Sequence, residues 1–116
     1  KQAPWTLYKK WEPTKYDWQQ IGNAQVIEQL IEHGSNPEMT HKLEFSFGGE
    51  PAHLHVLRDE LLKEKGEFLL LEGDLLEVIF ESELDDFEIN PLTYFLMDKA
   101  EEFACKFEGW RAPITN

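Results

Sequence analysis

His53 and His55 are the only closely spaced histidines in the chain. A spacing of two puts them on different sides of a helix, whereas a shared metal wants three or four. Cys105 has no second thiol to pair with. Its place near the end of an amphipathic stretch suits a small packing residue better than a nucleophile. Gly48-Gly49 lacks the Lys and Ser/Thr that follow a phosphate-cradling loop. Neither a nucleophile elbow nor His-Glu-x-x-His occurs. Glu81, Glu83, Asp85, Asp86 and Glu88 crowd carboxylates together, but without the alternating order and turn glycine of a calcium loop. Nothing in the spacing marks two carboxylates as a buried acid–base pair. The expectation is a non-enzyme with no metal and no cofactor.

What remains is the charge itself. Eleven Lys and Arg face 23 Asp and Glu, a net charge of −12. From Gly66 to Asp98 there are ten acidic residues and no Lys, Arg or His, so this window holds −10 of the total. Nucleic-acid binders displace counterions with basic surface, so direct contact with RNA or DNA is disfavoured. Anionic membranes are disfavoured for the same reason. A basic protein fits better. Carboxylates at i and i+2 on a strand stand roughly 6 to 7 Å apart and so imitate part of a phosphate track. Glu77, Ile79, Glu81, Glu83, Asp85, Asp86 and Glu88 are the candidate partner-binding residues. Ile79 between two glutamates is a candidate apolar anchor, and an N-terminal Trp is another. The plainer reading, a solvated surface that keeps a small protein soluble, stands beside this one.

The elements that must hold these residues follow from periodicity and punctuation. Asp17 or Asn23 caps a first helix reaching His33, with Ala24, Ile27, Leu30 and Ile31 on its apolar face and Gly34 as its stop. Leu43, Phe45 and Phe47 alternate with polar neighbours as in a half-buried strand. Pro51 opens a second helix carrying Leu54, Leu57, Leu61 and Leu62, which Gly66 ends. Glu67 to Leu71 and Leu75 to about Ser82 read as strands joined at Gly73-Asp74. In the latter, Leu76, Val78 and Phe80 share one side and Glu77, Ile79 and Glu81 the other. Asn90-Pro91 reads as the start of a third helix with Leu92, Phe95, Leu96, Ala100 and Phe103 inward. Lys106 to Ala112 gives the last strand.

That order, a helix and then β-α-β-β-α-β, predicts an α+β fold. It is a ferredoxin-like split β-α-β sandwich with a four-stranded antiparallel sheet and an additional N-terminal helix. Right-handed crossovers place both later helices on one face, leaving Glu44, Glu77 and Glu81 on the other. That other face is open, or covered by the first helix and the opening segment. At 116 residues there is room for one domain, read as residues 17–116. Residues 1–16 form an arm containing Trp5, Tyr8, Trp11 and Tyr16 together with Lys1, Lys9, Lys10 and Lys15. It packs on the domain or on a partner through its rings. Trp18 and Trp110 read as packing residues. No run approaches the ~18 apolar residues of a membrane span, and no signal-peptide pattern opens the chain. The expectation is a soluble, cytoplasmic protein.

Three segments in order resemble the ribonuclease E inhibitor family, the RraB-like regulators of ribonuclease activity B. VIEQLIEHGSNP, Val26 to Pro37, is similar to that family's helix and its Gly-Ser-Asp-Pro-like turn. The strand Lys42 to Phe47 and the helix after it, closing before a Gly-led strand, keep the family's order. DKAEEFACKF, running into Glu108-Gly109-Trp110, resembles its Ala-Glu-Lys-Phe helix and Asp-Gly-Trp ending. The resemblance spans most of residues 23 to 112. It implies an acidic, non-enzymatic α+β protein that binds a ribonuclease and reduces its activity; it supplies no binding residue. The competing readings are an immunity protein that neutralises a nuclease toxin, a carboxylate hydrolase, and an acidic scaffold.

Overall fold

The computed structural model describes residues 14–112. Helix α1 spans Lys15–Glu32 and starts ahead of both expected caps, Asp17 and Asn23. Thr14 is its N-cap: Asp17 N–H donates to Thr14 Oγ1 at 3.3 Å, and Thr14 N–H donates to Asp17 Oδ2 at 2.8 Å. This reciprocal pair satisfies two donors that the first turn would otherwise leave bare. Asp17 is therefore the partner of the cap, and Asn23 lies in mid-helix. The stop falls where expected, with Gly34 at φ 107° and the Ser35 N–H donating to Leu30 O. The inward face is rotated from the expected one. Asn23 and Ile27 are buried, while Ala24, Ile31 and Trp18 are exposed.

Strand β1 (Thr40–Gly48) leads to helix α2 (Pro51–Lys63), strands β2 (Glu67–Glu72) and β3 (Leu75–Glu83), helix α3 (Asp86–Glu102) and strand β4 (Lys106–Arg111). The sheet runs β2-β3-β1-β4, and every neighbouring pair is antiparallel. This is the four-stranded antiparallel sheet of the expected α+β, ferredoxin-like arrangement, with α1 as the additional N-terminal helix. Leu43, Phe45 and Phe47 of β1 and Leu76, Val78 and Phe80 of β3 point inward. They meet Leu54, Leu57 and Leu61 of α2 and Ile89, Leu96 and Ala100 of α3 in one core. Leu62, expected inward, is exposed. Each buried side chain of this size adds about 1.5 to 3 kcal/mol.

Helix α3 begins at Asp86, four residues before the expected Asn90. Asp85 supplies the cap, and Pro91 lies inside the helix. Pro91 removes the N–H that would bond to Phe87 O and its ring crowds that carbonyl, a local cost that the packing of α3 on the core offsets. Asn90 serves instead as an acceptor for Asn23 Nδ2 at 2.9 Å. Asn23 Nδ2 also donates to Thr93 Oγ1, and Asn23 Oδ1 accepts from Gln19 Nε2 and Trp110 Nε1, the latter at 2.7 Å. Trp110 lies opposite the core-facing Phe45 and packs 6.3 Å from it. Helix α1 is thus docked on α3 on the same side of the sheet as the other helices. Among the described residues the opposite face is open. No helix of the described residues is long and apolar enough to cross a membrane.

Candidate functional site: an acidic corner of the sheet

The strand pairing decides which outward residues meet on the open face. Across β1 and β3, Ser46 faces Glu77, Glu44 faces Ile79, Lys42 faces Glu81 and Thr40 faces Glu83. Glu77 and Glu81 share this face, as the alternation requires, yet their surroundings differ. Glu77 is only 8% exposed. Arg111 Nη2 donates to Glu77 Oε2 and to Glu44 Oε1, each at 3.2 Å. A carboxylate this deep is paired by that neighbour. It offers little to an outside partner. Lys42 reaches past β3 to Glu67 Oε2 at 3.6 Å.

Glu81 is exposed and, among the described residues, has no ion-pair partner. The pairing of β2 with β3 begins at Glu67 opposite Ile79. Beyond that point Phe80 to Glu83 have no neighbour from β2, and a recess of about 460 Å³ opens there. Ile79, Phe80 and Leu92 give it an apolar floor, and Glu64, Lys65, Glu67 and Glu81 surround it. Its three carboxylates outnumber Lys65, and with Glu67 paired to Lys42 the recess keeps a modest negative bias. A lysine or arginine side chain matches this form, its stem against the floor and its charge at the rim.

The other acidic candidates lie round the corner from the strand, at the start of α3. Asp85 Oδ1 accepts from the Phe87 N–H at 2.7 Å. Glu88 Oε2 accepts from the Glu83 N–H at 3.2 Å and from Ser82 Oγ at 3.4 Å. Capping and the helix dipole account for carboxylates at these positions. Glu83 is half-buried and Asp86 exposed. Glu88 and Leu92 stand one turn apart on α3, so this acidic end adjoins the recess. The structure therefore groups Ile79 and Glu81 at the recess and Glu83, Asp85, Asp86 and Glu88 beside it. Glu77 is set apart by Arg111.

Phe87 is 90% exposed between Asp86 and Glu88. Sequence reasoning missed it because the helix was expected to start only at Asn90; the available signal was one aromatic residue inside a run of carboxylates. Trp18, expected to pack, is 63% exposed. Trp5 and Trp11 lie outside the described residues, and so does the expected arm up to residue 13. Its last two residues, Lys15 and Tyr16, belong to α1. There Lys15 pairs with Glu101, the Tyr16 hydroxyl donates to Asp98, and the Tyr16 ring meets Tyr94 edge-on at 5.2 Å.

A larger recess of about 620 Å³ lies at the opposite end of the sheet. Its carboxylates Asp74 and Glu108 share it with Lys106, and burial pushes the Cys105 thiol above its ordinary value, away from the reactive thiolate. Among the described residues, no group of three or more His, Cys, Asp or Glu is placed to hold a metal ion.

Residues 20–111 match the protein family described as "RraB: Regulator of ribonuclease activity B". The match takes in most of α1, both later helices and all four strands, and the chain belongs to this family. No curated protein matches the chain.

Proposed function

We propose that this RraB-family chain binds a basic ribonuclease in the cytoplasm through the acidic corner around Glu81 and inhibits it by occupying its RNA-binding surface. The observation that carries the reading is Glu81, an exposed carboxylate with no ion-pair partner among the described residues, at the rim of an apolar-floored recess. Each exposed ion pair contributes only about 0.2 to 1 kcal/mol. The carboxylates therefore steer the encounter, and apolar contacts hold the complex. Ile79 and Leu92 in the recess and the protruding Phe87 are the anchors. A fully covered Phe is worth roughly 2 to 3 kcal/mol. The protein contributes no catalytic group to this mechanism; its action is steric and electrostatic. The family description names a regulator, which supports control of an endogenous enzyme over neutralisation of a toxin.

The test is association kinetics with the host's ribonuclease, recovered by copurification at low salt. Charge reversal by Glu81→Lys with Asp86→Lys is expected to slow association by about 10-fold or more at low salt, with the difference shrinking as salt rises. An unchanged association rate would refute the electrostatic part. Phe87→Ala is expected to speed dissociation and leave association nearly constant.

A further inference from the structure

Strand β3 runs on past the end of β2, and the backbone it leaves bare has a definite parity. Asp74 O accepts from the Gly49 N–H at 3.3 Å, in register with the pairing of β1 and β3. Backbone groups alternate between the two sides of a strand, so the even-numbered residues of β3 turn theirs to β1 and the odd-numbered ones to β2. Glu83 keeps this order, its N–H donating to Glu88 Oε2 and not to β1. Leu75, Glu77 and Ile79 find partners in β2, and the pairing ends there. Glu81 is next in the series, and its N–H and C=O face the recess with no described partner. Bare edge groups of this kind are a template for another strand.

We propose that the recess receives an extended segment of the partner protein, which adds to β3 at Glu81 where β2 has stopped and carries a lysine or arginine between two apolar residues. The proposal rests on the reading of the acidic corner as the docking surface. A residue paired with Glu81 in an antiparallel strand exchanges two backbone hydrogen bonds with it and sets its side chain on the open face, roughly 5 Å from that of Glu81. The Glu81 carboxylate, exposed and without an ion-pair partner among the described residues, selects a basic side chain there. The residues before and after it turn inward, where Phe80 and Leu92 offer apolar surface. Glu64 and Glu81 outnumber Lys65 around the recess, while Glu67 is paired with Lys42. A second copy of the chain would bring another −12 of charge to the same place.

The test titrates a capped heptapeptide, with lysine between two valines and Ser/Thr flanks, into the isotope-labelled full chain. Binding near about 1 mM is expected, with amide shifts centred on residues 79–82 and slower exchange of the Glu81 N–H. Methylating the peptide's lysine nitrogen, which removes the donor to Glu81 O, is expected to weaken binding about 5-fold or more. Methylating either valine nitrogen, which faces away from β3, leaves it nearly unchanged. Glu81→Lys is expected to weaken binding by about 3-fold or more. No shift at the recess with about 10 mM peptide overturns the proposal, as does binding indifferent to the lysine nitrogen. Shifts confined to the outer edge of β2 or to β4 overturn it as well. Recess amides that move with protein concentration alone point to a second copy and overturn it too. The ribonuclease is absent from this titration, so failure of the peptide contact and failure of the charge-steered association are separate results.

Discussion

Asn23 and Arg111 show what single side chains decide in this molecule. Asn23 has all four of its amide hydrogen bonds made, two accepted and two donated, and ties α1 to α3 and β4. Asn23→Leu keeps the volume but leaves the Trp110 N–H and the Thr93 and Asn90 oxygens short of a partner. The expected loss is about 2 to 4 kcal/mol in urea unfolding, since each orphaned buried group costs roughly 1 to 3. A loss below about 0.5 kcal/mol would contradict the assigned role. Arg111 does different work, because its side chain is 69% exposed while one of its two carboxylate partners is nearly buried. Arg111→Ala is expected to cost about 1 to 3 kcal/mol by leaving the buried Glu77 carboxyl without its partner. Adding Glu77→Gln should recover much of that loss, and a double-mutant cycle without coupling would contradict the pairing. Neither role was readable from sequence. Asn23 resembled a cap because Asn favours helix starts, and Glu77 resembled its neighbour Glu81 because alternation gives the face of a strand residue, not what lies across it.

The elements were the most legible level. The two-residue period of Leu43, Phe45 and Phe47, the Leu54-Leu57-Leu61 spacing after Pro51, and the Gly73-Asp74 turn each had one physical solution, and each element lies where that solution put it. Gly66 does follow the end of α2, though for a different reason from the one assumed. Lys65 takes the left-handed conformation at φ 72°, and Gly66 is needed because a Cβ there would come within 2.8 Å of Leu61 O and of Val78 Cγ1. The start of α3 was misplaced because Asn90-Pro91 is a strong local signal, and only tertiary contact with Asn23 assigns Asn90 another task. The docking of α1 on α3 has a pH signature. The hydrogen bond to Asp98, then burial, hold the Tyr16 hydroxyl above its ordinary value, and the bond to Glu101 does the same for Lys15. A proton held more tightly in the folded state adds stability below the group's free value and loses it as pH rises through the folded one. The advantage in Tm of the natural chain over Tyr16→Phe should therefore be steady from about pH 7 to 9 and fade above about pH 10. An advantage that persists undiminished at about pH 12 would contradict it.

At the scale of the whole molecule, the fold places an acidic corner where the sheet is locally narrow. Residues 80–83 of β3 pair with β1 but have passed the end of β2. The recess under Glu81 exists because of that offset, which depends on where two strands begin relative to each other. Composition revealed the charge, and alternation revealed its face, but neither could reveal an offset between strands distant in sequence. The same limit hid the compensation of Glu77 and Glu67 by Arg111 and Lys42, both from outside the acidic window. The negative display is consequently narrower than a full phosphate track. Competition between this protein and RNA for the ribonuclease is the most direct test of its use. Mutually exclusive binding is predicted, with RNA raising the apparent Kd of the protein in proportion to its concentration and Glu81→Lys weakening the protein's hold. A stable ternary complex of ribonuclease, RNA and this protein would contradict the claim.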